Sequence, residues 1–221
     1  MMNEKPAAVA VERSETQLLA EENASKTAVE SDLIRRILRG ENELFYDLVQ
    51  PYERAVFIAA TSILGNDADG EEVAQETMLK AFKYLGRFRH EAKFSTWLIQ
   101  IAINEAKMRL RKDRRRLHQS MDEGQTTEEG DYIPTDFADW RPIPSDALEQ
   151  SELRSALRKA ILSLAEKYRS VLVLRDVQQR SIAETAQILG ISEENVKTRT
   201  SRARLQMRDA LASDWRATWA G

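Results

Sequence analysis

Residues 117–146 break the helical pattern on either side of them, and that break limits the fold of this 221-residue chain more than any other feature. The stretch "HQSMDEGQTTEEGDYIPTDFADWRPIPSD" holds three of the chain's five prolines and two of its eight glycines. Its carboxylates are Asp122, Glu123, Glu128, Glu129, Asp131, Asp136, Asp139 and Asp146, and Arg141 is its only full positive charge. Such a segment reads as an acidic linker, with a small helical unit expected on each side.

The flanks are read as all-α. Charged residues make up 31% of the chain, which suits small units with much surface, and long β-branched alternation is absent. In "SDLIRRILRGENELFYDLVQPYERAVFIAATSILG", Leu33, Ile34, Ile37 and Leu38 share a face, with Ser31 as a cap and Gly40 as a stop. "VFIAATSIL" is apolar nearly all round, as a central helix is. "GNDADG" reads as a turn, followed by the helix "EEVAQETMLKAFKYLGRF", a loop, and the helix "STWLIQIAINEAKMRLRKDRRR". The expected map is a disordered or loosely helical tail over 1–28, a domain over 29–116, the linker over 117–146, a second domain over 147–213 and a C-terminal tail over 214–221.

Several function classes recede. With no cysteine there is no disulfide framework or thiolate metal site, and a reducing compartment is suited. Two histidines, His90 and His118, are too few for most metal clusters, and no cofactor is expected. No apolar run approaches the roughly 20 residues of a membrane span. The opening "MMNEKPAAVAVERSE" lacks a basic start and an apolar core, so a cytoplasmic protein is expected. Glu71, Glu72 and Glu76 bring no histidine or second acidic cluster with them, which argues against a nuclease.

Two features point to nucleic acid. "SIAETAQILGISEENVKTRTSRARLQM" has helix-turn-helix spacing: Ser181 caps, Ala186 allows a close crossing, Gly190 turns, Ile191 plugs the core, Ser192 caps again and Val196 anchors the second helix. Lys197, Thr198, Ser201 and Arg202 then project from about one face, where they can reach base edges and phosphates. The net charge of the chain is -3, yet 195–208 contains no carboxylate. The second feature is "KMRLRKDRRR", with seven positive charges and one negative, downstream of "RFRHEAKFSTW". There Phe88, Phe94 and Trp97 interleave with Arg87, Arg89 and Lys93, as single-stranded nucleic acid requires; a core role for the three aromatics is the alternative.

These residues resemble the extracytoplasmic-function group of bacterial RNA polymerase sigma factors over about 31–115 and 148–211. The resemblance rests on "NDADGEEVAQETMLKAFKYLGRF", "FSTWLIQIAINEAKMRLRK" and "LAEKYRSVLVLRDVQQRSIAETAQILGISEENVKTRTSRAR". It implies a non-catalytic initiation factor whose partners are core RNA polymerase, promoter DNA and an anti-sigma factor. It implies that Glu72, Gln75 and Glu76 dock on the polymerase clamp helices. Arg87, Phe88, Arg89, Phe94, Trp97, Asn104, Lys107 and Arg111 would open and hold the minus-ten element. Lys197, Thr198, Arg199, Ser201, Arg202 and Arg204 would read the minus-thirty-five element. The linker is either a spacer or a strand that threads a basic channel as an RNA mimic, and the resemblance favours threading. The chain departs from the family pattern at Leu164-Ala165, where Leu-Pro is usual, at Thr185 and Thr200, where Ile and Leu are typical, and at Glu72, which replaces Asp. A stand-alone helix-turn-helix regulator that binds operator DNA is the rival reading.

Overall fold

The computed structural model describes the backbone of residues 21, 24–122 and 147–219, and the acidic stretch 123–146 and the first twenty residues lie outside it. Among the described residues the regular structure is helical. α1 covers 24–37, α2 Phe45–Val49, α3 Glu53–Leu64, α4 Asp67–Tyr84 and α5 Phe94–Asp122. After the linker come α6 Ala147–Ser163, α7 Glu166–Leu172, a π-helical turn Val173–Val177, α8 Ile182–Leu189 and α9 Glu193–Trp219.

α3 is the axis of the N-terminal unit. Val56, Ala59, Ala60 and Ile63 are buried against α4 and α5, which supply Val73, Ala81, Leu98, Ile99 and Ile103. α1 starts before Ser31, so this residue lies inside the helix and does not cap it. The earlier start is anchored on Tyr52, whose hydroxyl donates to Glu30 and whose ring lies under the Lys26 ammonium. Gly40 ends the element at φ +113° as expected. Leu38 leaves the apolar face on which spacing placed it and is 56% exposed.

The segment "GNDADG" is mostly helix, not turn. Only Gly65 (φ +86°) and Asn66 turn the chain; Asn66 Oδ1 accepts from the Asp69 amide at 2.9 Å, and Asp67 and Asp69 favour the positive end of α4. Gly70 is buried at the α3–α4 crossing, where a Cβ would stand 2.2 Å from Thr61 Oγ1. At the far ends the helices outrun their expected limits. α5 continues to Asp122 and α9 to Trp219, into residues assigned from sequence to the linker and the C-terminal tail.

The two units do not stand apart as the linker suggested. Val171, Leu174, Ile188, Leu189 and Val196 join the same continuous apolar core as Val56, Leu98 and Ile103. Arg169 crosses the seam, buried to 8% exposure. Its Nε donates to Ser62 O at 2.7 Å and Nη2 to Ile63 O at 3.2 Å, while Nη1 donates to Leu162 O at 2.9 Å in its own unit. The first two acceptors are carbonyls of the last turn of α3, which the helix itself leaves unpaired, and a cation there complements the helix dipole. Burial lowers the Arg169 pKa from the usual arginine range, yet arginine stays protonated in proteins. Each carbonyl left unpaired would cost about 1–3 kcal/mol.

Candidate nucleic-acid interface

α8 and α9 form the helix-turn-helix by local chemistry. Ser181 Oγ accepts from the Glu184 amide at 3.1 Å and the Glu184 carboxylate accepts from the Ser181 amide at 2.8 Å, a complete capping box. Gly190 takes φ +68° and turns the chain, and Ser192 Oγ accepts from the Asn195 amide at 3.2 Å to start α9. Val196 and Ala203 are fully buried beneath α9. Thr185 and Thr200 keep their hydroxyls satisfied inside the core, donating to Ser181 O and Val196 O at 2.8 Å each. This is the partner their polar substitution of an apolar position requires.

The outer face of α9 carries Lys197, Thr198, Ser201 and Arg202, all exposed, with Arg199 half-buried. Arg204 is exposed but held by two bonds to Asp176, at 2.9 and 2.6 Å. Arg202 reaches the Tyr168 hydroxyl and lowers its pKa from the ordinary tyrosine value. Lys197, Ser201, Arg204 and Arg208 line a concavity of about 510 Å³ with Arg175 and Ile182. A cationic hollow beside an exposed helix face is complementary to a phosphate backbone flanking a groove.

In the N-terminal unit the aromatics form one cluster. Phe88 lies 5.6 Å from Phe94 and 5.4 Å from Trp97, and Phe94 lies 5.7 Å from Trp97 and 5.9 Å from Tyr52, between ring centres. Phe94, 1% exposed, belongs to the core. Phe88 and Trp97 are half-buried over it. Arg87 and Arg89 are exposed, Arg87 over the Tyr84 ring at 4.9 Å. Trp97, Asn104, Lys107 and Arg111 fall at helical spacing along one stripe of α5. Asn104 and Arg111 are exposed and Lys107 is half-buried. Burial lowers the Lys107 pKa from the usual lysine value; Arg199 and Arg111 act in the same direction and Glu166 opposes them. Gln100 lies on the same stripe by spacing and was not singled out from sequence, whereas Lys93, named there among the cations beside the aromatics, stands just before its start.

Glu72, Gln75 and Glu76 are exposed on α4. Glu72 is engaged from α5 by Arg109, which also holds Asp69, so this carboxylate is partly neutralised. One turn further along the same face stand Leu79, 73% exposed, and Phe82, 42% exposed, the latter 5.0 Å from the Phe45 ring. An apolar patch continuing a charged one has the make-up of a protein interface, a core with a polar rim. Single exposed apolar residues carry no sequence signal, so this half of the face went unread.

Comparison with known proteins accounts for both units. Residues 48–116 match the Sigma-70 region 2 family and residues 154–207 match Sigma-70 region 4. The chain is 32% identical over 178 residues to the ECF RNA polymerase sigma factor SigW of Bacillus subtilis, covering 80% of this chain and 94% of that one. It is 30% identical over 184 residues to the RNA polymerase sigma-H factor of Pseudomonas aeruginosa, covering 82% and 93%. Among solved structures, the sigma factor RpoE in complex with the anti-sigma factor NepR from Bartonella quintana shares the fold with a TM-score of 0.60 at 23% identity, over 77% of this chain and 98% of that one. CnrH in complex with the cytosolic domain of CnrY does so with a TM-score of 0.53 at 24% identity, over 82% and 96%. A region 2 bundle followed by a region 4 helix-turn-helix, with relatives at this identity along nearly their whole length, makes the chain a member of the extracytoplasmic-function RNA polymerase sigma factors.

Proposed function

We propose that this protein is an alternative sigma factor of the cytoplasm that has no catalytic activity of its own and confers promoter choice on core RNA polymerase. α4 docks on the polymerase through Gln75, Glu76, Leu79 and Phe82, with Glu72 positioned by Arg109. Lys197, Thr198, Ser201 and Arg202 read an upstream duplex element, with Arg199 and Arg204 contributing charge. Trp97, Asn104, Lys107 and Arg111, flanked by Arg87, Phe88 and Arg89, hold a melted downstream strand. Phe94 supports Phe88 and Trp97 from beneath. The working units are 29–116 and 147–213, and the acidic stretch between them threads a basic channel of the polymerase as a mimic of RNA. An anti-sigma protein is the expected regulator, as for the solved relatives. Among the described residues no helix is long and apolar enough to cross a membrane.

The observation that carries this reading is the pairing, in one chain, of a duplex-facing helix with a stripe suited to unpaired bases. An operator-binding regulator needs only the first. The test is promoter binding with and without core enzyme. Tight sequence-specific binding should require core; equally tight specific binding by the protein alone would favour the operator-binding alternative.

A further inference from the structure

We propose that the cavity between α3 and the helices α6 and α7 is a binding site for a small amphipathic anion, an aliphatic chain that ends in a carboxylate. The cavity has a volume of about 370 Å³, within the range of small-molecule sites. Its walls are three helical faces set by residue spacing. α3 presents Arg54 and Ile58, four residues apart. α6 presents Arg154, Leu157, Arg158 and Ile161 over two turns. α7 and the π-helical turn present Arg169, Val173 and Val177, again at intervals of four. The apolar part of the wall is aliphatic and incompletely covered. Ile58, Leu157 and Ile161 are half-buried and Val177 is 49% exposed. An aliphatic chain laid along them removes this surface from water.

The charged part of the wall has one sign. Among the described lining residues there are four arginines and no carboxylate. Arg158 is answered by Asp67 at 2.5 Å, a residue outside the lining. Arg169 is the buried cation of the four, and carbonyl oxygens alone hold it, through Nε, Nη1 and Nη2. Among the described residues no carboxylate forms an ion pair with it, although Glu166 favours its charge from further off. Carbonyl dipoles orient a guanidinium without neutralising it, and a buried cation is compensated best by an anion in contact. The three bonds use one N–H on each nitrogen, so Nη1 and Nη2 each keep a second. Two N–H groups in a fixed plane match the two oxygens of a carboxylate. Arg54 and Arg154 are exposed and raise the local concentration of anions at the opening. An inorganic anion leaves the aliphatic wall wet, and a neutral apolar molecule leaves Arg169 uncompensated; a molecule with both parts answers both. Because α3 belongs to one unit and α6 and α7 to the other, the bound anion stabilises their packing by mass action. The inference involves neither DNA nor polymerase and stands apart from the promoter-binding reading.

The test is calorimetric titration of the full chain with hexanoate, octanoate and decanoate, each kept below its micelle concentration. Affinity should rise about tenfold with each added pair of methylenes, and decanoate should raise the melting temperature in proportion to its saturation of the site. Decyltrimethylammonium, which has the same chain length and the opposite charge, should bind at least tenfold more weakly than decanoate. Two variants locate the site. The double variant Arg54→Glu, Arg154→Glu reverses charge at exposed positions and should weaken decanoate binding tenfold or more. Leu157→Trp should do the same by filling the cavity; if it loses helicity, the exposed double variant alone decides. No binding of decanoate, equal binding of the ammonium probe, or unweakened binding to the double variant overturns the proposal. Binding lost in Leu79→Asp and kept in the cavity variants would place the chain on the exposed patch of α4, which also overturns it. Binding to phosphatidylglycerol vesicles without binding of monomeric decanoate would mark a membrane-surface contact and overturn an enclosed site.

Discussion

Gly70→Ala should destabilise the protein although it replaces glycine by the best helix former. In an open helix the change gains about 1 kcal/mol. Here the new methyl would stand 2.2 Å from Thr61 Oγ1, and 3.3 and 3.4 Å from Thr61 Cβ and Cα. The first distance is more than about 1 Å inside an ordinary contact of about 3.5 Å, and the other two are set by the α3 backbone, so a new Thr61 rotamer relieves only part of the crowding. Overpacking of this kind costs about 1–3 kcal/mol, and two contacts fixed by the α3 backbone put it in the upper half of that range, about 2–3 kcal/mol, so α3 and α4 separate and the net loss after the helix gain is about 1–2 kcal/mol. For a chain of this size that lowers the Tm by about 2–8 °C. The assay is urea unfolding followed by helical circular dichroism, with Thr61→Ala and the double variant measured alongside. Thr61→Ala removes the atom at 2.2 Å, so the double variant should recover about 1 kcal/mol relative to additivity. A neutral or stabilising Gly70→Ala, or strict additivity, would refute the close crossing that aims the outer face of α4.

Leu79→Asp should weaken association with core polymerase tenfold or more in a pull-down or anisotropy titration while leaving the melting temperature within a degree or two, because Leu79 is 73% exposed. Arg202→Ala should cost about 1–3 kcal/mol of binding and relax preference at one upstream base, read by competition among promoter variants. Trp97→Ala should slow strand opening more than initial binding, and a pre-melted template should partly restore its rate without restoring upstream preference to the Arg202 variant. Acid should loosen the seam through Glu184. Burial raises its pKa, but the Ser181 amide and hydroxyl and the Lys93 ammonium outweigh burial and hold it below the ordinary value of 4.5. Its stabilisation is therefore present above that value and is lost as pH falls below it, and Glu184→Gln should flatten that part of the pH–stability curve.

What could be read from the sequence was the local part. Ser181, Glu184, Gly190 and Ser192 act within three or four residues of themselves, and the structure uses them as caps and turn. Val196 and, in the apolar run of α3, Val56, Ala59, Ala60 and Ile63 follow from helical periodicity and are buried. The misreadings come from contacts distant in sequence. Arg169 sits in "EKYRSV" like any solvated cation, and only the meeting of α7 with the end of α3, more than a hundred residues away, buries it. Leu38 fits the apolar spacing of α1, but the helix ends at residue 37 and Leu38 stands in the turn beyond it, 56% exposed. Phe94 and Trp97 are three residues apart beside the same cations, yet the first is core and the second half-buried; spacing alone could not separate them. An acidic stretch of low helical pattern implied independence of the units, but linker composition sets reach and says nothing of the surfaces it joins.

The most direct test of the central claim is transcription in a purified system: core RNA polymerase with and without this protein on fragmented genomic DNA, with the 5′ ends of the transcripts sequenced. The protein should create a set of start sites absent with core alone, each preceded by a shared pair of upstream and downstream elements. Arg202→Ala should redistribute those sites according to the upstream element while Trp97→Ala lowers their yield without changing their identity. Start sites indistinguishable from those of core alone, with the protein present in excess and correctly folded, would contradict the account.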